Sequence, residues 1–357
     1  MYHEVMQMNT TAKFIQSINS MKIEDLKSIS EFILQKINGL DSDESSESLP
    51  KPDSCPICGN EHIVKFGKDK NLKHRYKCKS CAATFTASSF SVVSHTHCDM
   101  SVWRKYIELL LQRVSLRKCA SECGISVQTA FIWRHKILNA LQQDQDGRVL
   151  SGVIEADEMY FSISFKGNHT KSTNFVMPRK PYKRGTDSRS QISERACVMC
   201  AIERNGQTYG EVLGKGQPTI AMLSHAFKAR LMDDSVFITD KALGMRKYMT
   251  RHPLVELIQL DAHTVRKSKS GPPEIRGAFH IQSINNLHTR FRRHMRVYNG
   301  VSTKYLNHYL TLFIWLENYK NEIGFNAEKR LTEGLTKVNT YIKGKDIFAL
   351  PEIPRVA

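Results

Sequence analysis

The sequence lacks any uninterrupted run of about 18 apolar residues, so no ordinary membrane-spanning helix is expected. Its opening, MYHEVMQMNTTAKFI, lacks the charged-then-apolar order of a secretory signal. A chain kept inside the cell is therefore expected, with no membrane partner. Acidic residues are scarce: 35 Asp and Glu stand against 52 Lys and Arg, a formal charge of +17. A surplus of that size fits a polyanionic partner such as nucleic acid, although a basic surface also serves solubility. The cysteines lack the even count of a disulfide framework. There are nine, and in a chain with no export signal paired CxxC spacings point to metal ligation instead. No internal repeat is present.

What is there divides along the chain. The length of 357 residues, 41% of them hydrophobic, accommodates two or three domains with buried cores. Residues 1–40 read as a helical N-terminal region, in which Ile23, Leu26, Ile29, Phe32, Ile33 and Ile37 recur at three- and four-residue steps. Residues 41–54, DSDESSESLPKPDS, are acidic and almost free of large apolar side chains, the composition of a linker. A Cys-bearing unit follows over 55–90, then a helical stretch over 99–145 broken by the DQDG at Asp144–Gly147. From 149 to 345 strand-like segments (VLSGVIEADEMYF, RACVMCAIE, QTYGEVLG, SVFITD) alternate with helices, which suggests an α/β domain. The basic stretch 166–195 reads as an insertion or a binding loop.

Cys55 and Cys58 form one knuckle, Cys78 and Cys81 a second. Two such turns bring four thiolates round one tetrahedral Zn²⁺ with no open position, a structural site. Short strands between them, with Phe66, Tyr76 and Phe85 as core, make a zinc ribbon that depends on its metal to fold. Cys197 and Cys200 repeat the spacing, but no second pair is near, and they read as core residues of a strand.

Within 99–145, MSVWRKYIELLLQR, SLRKCASECG and SVQTAFIWRHKILNALQQ are candidate helices. Ser115 and Ser126 are placed to cap the second and third, and Gly124 to end the second. Helix, short glycine turn, helix is the order of a helix-turn-helix, whose last helix enters the major groove. The expected DNA-facing side chains are Ser126, Gln128, Thr129, Arg134, His135 and Lys136, with Ala130, Ile132, Trp133 and Ile137 packing inward. Three helices with a polar face also occur in proteins that never touch DNA.

Three segments of the last domain carry candidate chemistry. The strand around Glu155, Asp157 and Glu158 holds three acids in four positions, costly in an apolar strand unless they bind a cation or line a cleft. Alternation puts Glu155 and Asp157 on one face and Glu158 on the other. The strand SVFITD ends on Asp240, at the carboxyl end where ligands of open α/β sheets collect; a local cap is the plainer role. The helix Phe279–Tyr298 buries Ile284, Leu287, Phe291, Met295 and Tyr298, beside a polar stripe of Asn285, His288, Arg292 and Arg296. Between Arg266 and Arg296, eight cations (Arg266, Lys267, Lys269, Arg276, Arg290, Arg292, Arg293, Arg296) face one acid, Glu274. A solvated face mixes signs, so the run reads as a phosphate track.

The strands EADEMYF and VFITDKALGMRKY and the helix FHIQSINNLHTRFRRHM resemble the three blocks of DDE-type insertion-sequence transposases. In particular they are similar to the group with an N-terminal zinc ribbon and Asn or His as well as Glu at the third catalytic place. The resemblance spans about residues 50 to 320. It implies a ribonuclease H-like fold with a mixed five-stranded sheet. Asp157 then matches the first catalytic Asp, Asp240 the second, and Asn285 the third place. The implied reaction is metal-dependent phosphodiester hydrolysis and strand transfer at terminal inverted repeats, with Mg²⁺ or Mn²⁺ held by those three oxygen donors. Glu155, Glu158 or His288 are auxiliaries that would offset the neutral Asn285. The implied partners are element-end and target DNA and further copies of the chain, in a prokaryotic cytoplasm near the nucleoid. The competing reading is a catalytically inert DNA-binding regulator derived from a transposase.

Overall fold

The computed structural model describes residues 51–70, 73–145, 147–167, 192–204, 206–227, 230–261, 265–266, 269–270, 274–320, 326–336 and 340–353. The expected N-terminal helices, residues 41–50 of the expected linker and most of the 166–195 stretch lie outside them. The chain forms two compact units, residues 1–87 and 88–357.

In the first unit, strands β1 (Ile63–Lys68), β2 (His74–Cys78) and β3 (Thr84–Thr86) form an antiparallel sheet in that order. Ile63, Tyr76, Phe85, Cys55 and Cys78 make its small core. Phe66, expected inside, is instead 46% exposed, with Arg75 and Lys77 lying over its ring. Alternation from Ile63, the inward residue of β1, and a register shift between Lys65 and Lys68 turn Phe66 outward. Val92 and Val93, just beyond the expected ribbon, pack into the helical core of the second unit.

The second unit starts with α1 (Met100–Leu111), α2 (Leu116–Cys123) and α3 (Val127–Gln145). Ser115 accepts a hydrogen bond from the Lys118 N–H, and Gly124 ends α2 at φ +62°. Ser126 accepts from the Thr129 N–H at 3.0 Å. These are the caps and stop that the sequence predicts. Trp103 and Trp133 stack with centroids 3.6 Å apart, joining α1 to α3.

A five-stranded mixed sheet follows: β4 (Val153–Ser162), β5 (Arg195–Glu203), β6 (Thr208–Lys215), β7 (Val236–Asp240) and β8 (Glu256–Leu260). Its order is β6-β5-β4-β7-β8, antiparallel across the first three and parallel across the last three. The fifth strand, ELIQL, is not evident in the sequence alone. Helices α4 (Ile220–Phe227) and α5 (Leu243–Met249) cover one face. A two-stranded hairpin, β9 (Val265–Arg266) and β10 (Lys269–Ser270), comes next. Helices α6 (Gln282–Arg296) and α7 (Leu306–Tyr319) cover the other face. Two short helices, α8 (Ala327–Gly334) and α9 (Gly344–Phe348), complete the unit.

Helix α7 ties the unit together. It is apolar almost all round, as a helix buried on every side must be. Leu310, Phe313 and Ile314 pack on the sheet, whereas Leu312 and Trp315 pack against α1 and α3. A Cβ on Gly210 of β6 would meet Ile314 at 3.1 Å, so helix and strand approach closely because that position has no side chain. The three helices therefore share a core with the sheet domain and are not a free-standing module.

Candidate active site and metal centres

Parallel pairing of β4 with β7 matches Val153 to Val236 and Glu155 to Ile238. The same offset sets Asp157 beside Asp240, on the face covered by α6. β7 ends at Asp240, so nothing continues past it to screen the next residue of β4. Glu158, on the opposite face by alternation, still brings its carboxylate into the group. Oxygens of Asp157, Glu158 and Asp240 all lie within 4.8 Å of one another. Asp157 Oδ1 accepts the Glu158 N–H at 2.9 Å, and Asp240 Oδ1 accepts the Ala242 N–H at 3.0 Å. Those bonds leave further lone pairs on both carboxylates.

Three acids so close repel one another. Burial, then Glu158 and Asp240, push the Asp157 carboxyl up to about 8. Burial and Asp240 raise Glu158 as well. A cation among them would reverse this, because opposite charge favours the ionised form. The donor set is all oxygen, which suits Mg²⁺ or Mn²⁺ better than Zn²⁺.

Helix α6 lies beside the group. His288 Nδ1 is 3.8 Å from Asp157 Oδ2. Burial, then Arg292, push its imidazole down to about 4, so it is neutral at physiological pH. His288 was expected on a polar stripe but is buried. Asn285 is exposed one turn earlier on the same side of the helix.

Glu155 does not belong to the acid cluster. It is fully buried, and its Oε2 accepts the N–H groups of Ser283 and Ile284 at 2.9 and 3.1 Å. Its Oε1 faces His280 Nδ1 at 3.3 Å and Arg204 Nε at 3.7 Å. The expectation that it supplements the metal ligands is corrected: its charge is spent on the first turn of α6. Cys197 and Cys200 are buried core residues on opposite faces of β5, as expected. His280 faces Glu155, and His294 is only 4% exposed.

The cations divide. Arg292, Arg293 and Arg296 are exposed along α6. Arg290 is not free for phosphate, since it forms a two-pronged pair with Glu317 at 3.1 and 2.9 Å. Lys267 and the side chains of Arg266 and Lys269 lie outside the described residues.

Helix α3 also differs from expectation. Ser126, Gln128 and the first turn of α3 are open, with Thr129 half-buried. Arg134 and His135 are buried, at 2% and 0% exposed. Arg134 Nη2 donates to the Val114 carbonyl at 2.8 Å, and His135 Nδ1 meets His308 Nδ1 of α7 at 2.8 Å. Half-buried Lys136 reaches the Val92 carbonyl at 3.5 Å and the ring of Tyr341. The physical reason is that α3 packs on both α1 and α7, so among its described side chains the exposed ones are at its N-terminal tip.

In the ribbon the four thiols of Cys55, Cys58, Cys78 and Cys81 lie within 4.8 Å of one another. Sγ–Sγ separations are 3.6 Å for both Cys55–Cys81 and Cys58–Cys78. That is far beyond a disulfide bond and close to the edge of about 3.8 Å that Zn–S bonds of about 2.3 Å give a tetrahedron. The Cys81 N–H lowers the Cys78 thiol, whereas burial and the neighbouring thiols raise Cys81, so the four sulfurs compete for negative charge that a shared cation would relieve.

A mixed five-stranded sheet with acids in the middle of its central strand and another at the end of the parallel strand beside it resembles the ribonuclease H-like transposase fold. Residues 149–318 match the family model of the ISXO2-like transposase domain. No curated protein matches the chain. Among solved structures it is similar to the Mos1 strand transfer complex, at 12% identity over 65% of this chain and 74% of that one, with a TM-score of 0.23. It is also similar to the Mos1 mariner paired end complex with Mn, at 12% identity over 70% and 81%, again with a TM-score of 0.23. The assignment rests on the family match and the sheet order.

Proposed function

We propose that the protein is a DNA transposase that binds the terminal inverted repeats of an insertion sequence, cuts there and joins the freed ends to target DNA. The observation that carries this reading is the adjacency of Asp157, in the middle of β4, and Asp240, at the end of β7, within residues that match a transposase family model. Asp157, Asp240 and Asn285 hold Mg²⁺ or Mn²⁺, and Glu158 supplies the carboxylate that Asn285 lacks. The ions supply Lewis-acid stabilisation of the attacking and leaving oxygens. Hydrolysis breaks one phosphodiester and leaves a 3′ hydroxyl on the element. Joining forms one phosphodiester for each one broken in the target, so it needs no outside energy source. Neutral His288 holds the Asp157 side of the site against α6 and adds no positive charge to compete with a cation.

Arg292, Arg293 and Arg296 neutralise phosphates along α6. Base edges are read by the tip of α3 through Ser126, Gln128 and Thr129, with exposed Arg117 and Lys118 of α2 beside it. The four ribbon cysteines hold a structural Zn²⁺. Paired ends call for at least two copies of the chain, working where DNA is, in a prokaryotic cytoplasm.

The test is a strand-transfer assay with purified protein, labelled element-end DNA and Mg²⁺ or Mn²⁺. Wild type should join ends, and Asp157→Asn and Asp240→Asn should each lower joining by at least a thousandfold. Undiminished joining by Asp157→Asn would falsify the assignment. Specific end binding by wild type without cleavage in either metal would instead favour the inert regulator, a reading motivated by the neutral Asn285.

A further inference from the structure

At the start of helix α6 the Gln282 N–H is accepted by His280 Nδ1 at 3.3 Å, and the next two N–H groups have no acceptor from the helix's own N-cap. Its N-cap position is Ile281, which offers no side-chain acceptor. The first-turn N–H groups of a helix need partners, and buried ones need them most. Here the partner comes from another element: Glu155 of β4, with no exposed surface, accepts both the Ser283 and Ile284 N–H groups through one oxygen. A carboxylate at a helix N-terminus is also favoured by the helix dipole. Its other oxygen makes no hydrogen bond and lies 3.7 Å from Arg204 Nε and 3.3 Å from His280 Nδ1.

The opposite end of α6 is held by the continuation of the same strand. Lys166 Nζ donates to the carbonyls of Tyr298, Asn299 and Gly300 at 3.3, 2.8 and 2.8 Å. Ser164 and Thr303 exchange hydrogen bonds beside it, both at 2.8 Å. A negative group thus grips the start of the helix and a positive group the backbone just beyond its end, both from the chain that carries Asp157. Glu155 lies two residues from Asp157 on the same face of β4, and Ser283 and Ile284 lie immediately before Asn285.

We infer that Glu155 is a positioning residue: it sets the height and direction of α6 so that Asn285 and His288 face the carboxylates of Asp157 and Asp240. This rests on the transposase reading for its use, but the clamp itself is a feature of the fold. It contacts no reacting atom. Its effect reaches the metal through the helix, as groups behind metal ligands do.

The experiment compares full-length wild type, Glu155→Gln and Glu155→Leu by Mn²⁺ titration and by amide exchange at Ser283 and Ile284. Glutamine keeps an acceptor oxygen for both N–H groups. It should preserve their protection and hold Mn²⁺ affinity within about threefold. Leucine should lose the protection and weaken Mn²⁺ binding by about 10–100-fold, the usual range for lost support of metal ligands. Equal Mn²⁺ affinity in wild type and folded Glu155→Leu overturns the inference. So does unchanged protection of Ser283 and Ile284 in that variant. Should leucine prevent folding, Glu155→Asp, one methylene short of the helix, is read in its place and must show the same two losses. A wild type that binds no Mn²⁺ sinks the transposase reading together with the inference. Normal wild-type binding that no Glu155 variant alters sinks the inference alone.

Discussion

Arg134 separates two pictures of the third helix, one in which it reaches DNA and one in which it holds the helices together. Its side chain is 2% exposed, and its partners are neutral: the Val114 carbonyl at 2.8 Å, the Cys119 thiol at 3.6 Å and the Tyr309 hydroxyl. Truncation in Arg134→Ala deletes a hydrogen bond from a charged donor, about 1.5–3 kcal/mol. It also empties the space of two methylenes, about 1.6 kcal/mol at ~0.8 each. The loss should be about 3–5 kcal/mol. At roughly 2 °C per kcal/mol for a unit of this size, the melting temperature should fall by about 6–10 °C. Arg134→Met keeps the stem and removes a buried charge that has no carboxylate partner, so it should melt within about 3 °C of wild type. Gln128→Ala, at the open tip of α3, should melt like wild type yet lose about 1–3 kcal/mol of discrimination between element ends and other DNA. Thermal melts and fluorescence anisotropy with end and random duplexes read both effects. The reasoning is refuted if Arg134→Ala melts with wild type and binds DNA with a salt slope lower by about one, the mark of a lost phosphate contact.

Two further outcomes follow from the metal centres. Chelation, or Cys78→Ser, should remove one zinc per chain and unfold the 63–86 sheet while the 88–357 unit keeps its melt; exchange-resistant ribbon amides after chelation would contradict this. The acid cluster should release protons when it takes a cation, because burial, Glu158 and Asp240 hold the Asp157 carboxyl near 8, above its ordinary 3.8. A raised carboxyl favours the fold fully below about 4, and that contribution is lost as pH rises through about 8, so the metal-free protein should weaken across that window. At pH 7, Mn²⁺ binding should therefore release close to one proton, seen as a binding enthalpy that depends on the buffer, and Asp157→Asn should abolish the dependence. A buffer-independent enthalpy in wild type would count against the cluster as the binding site.

Much of the fold is legible in the residues because local rules and packing agree there. Ser115, Gly124 and Ser126 punctuate α2 and α3 as cap chemistry requires, and the four more apolar strands show their apolar texture. β8 escapes notice because ELIQL is five residues on a sheet edge, with Glu256 and Gln259 interrupting it. Arg134 and His135 mislead for a different reason. Helical spacing identifies one face, but α3 packs on two, and polar residues on the second are satisfied by Val114 and His308, whose nearness no local pattern encodes. Arg290 looks like its neighbours in sequence and is set apart only by Glu317, 27 residues on.

The acid strand shows where such reading reaches its limit. Alternation assigns Glu155 and Asp157 to one face and Glu158 to the other, and the fold agrees. The inference that shared face means shared site does not follow. Rise along a strand is about 3.3 Å per residue, so Glu155 stands nearly 7 Å down β4 from Asp157. At that height the covering element is the first turn of α6, whose Ser283 and Ile284 N–H groups have no acceptor from the helix's own N-cap, and a carboxylate there caps a helix. Glu158 points the other way, but β7 stops at Asp240, and a free strand end lets a two-methylene side chain turn into the group within 4.8 Å. Face is fixed by the residue's own backbone, whereas role is fixed by where the neighbouring elements begin and end. A third carboxylate can thus sit next to the first in sequence while the helix residue at the third place remains a neutral Asn285.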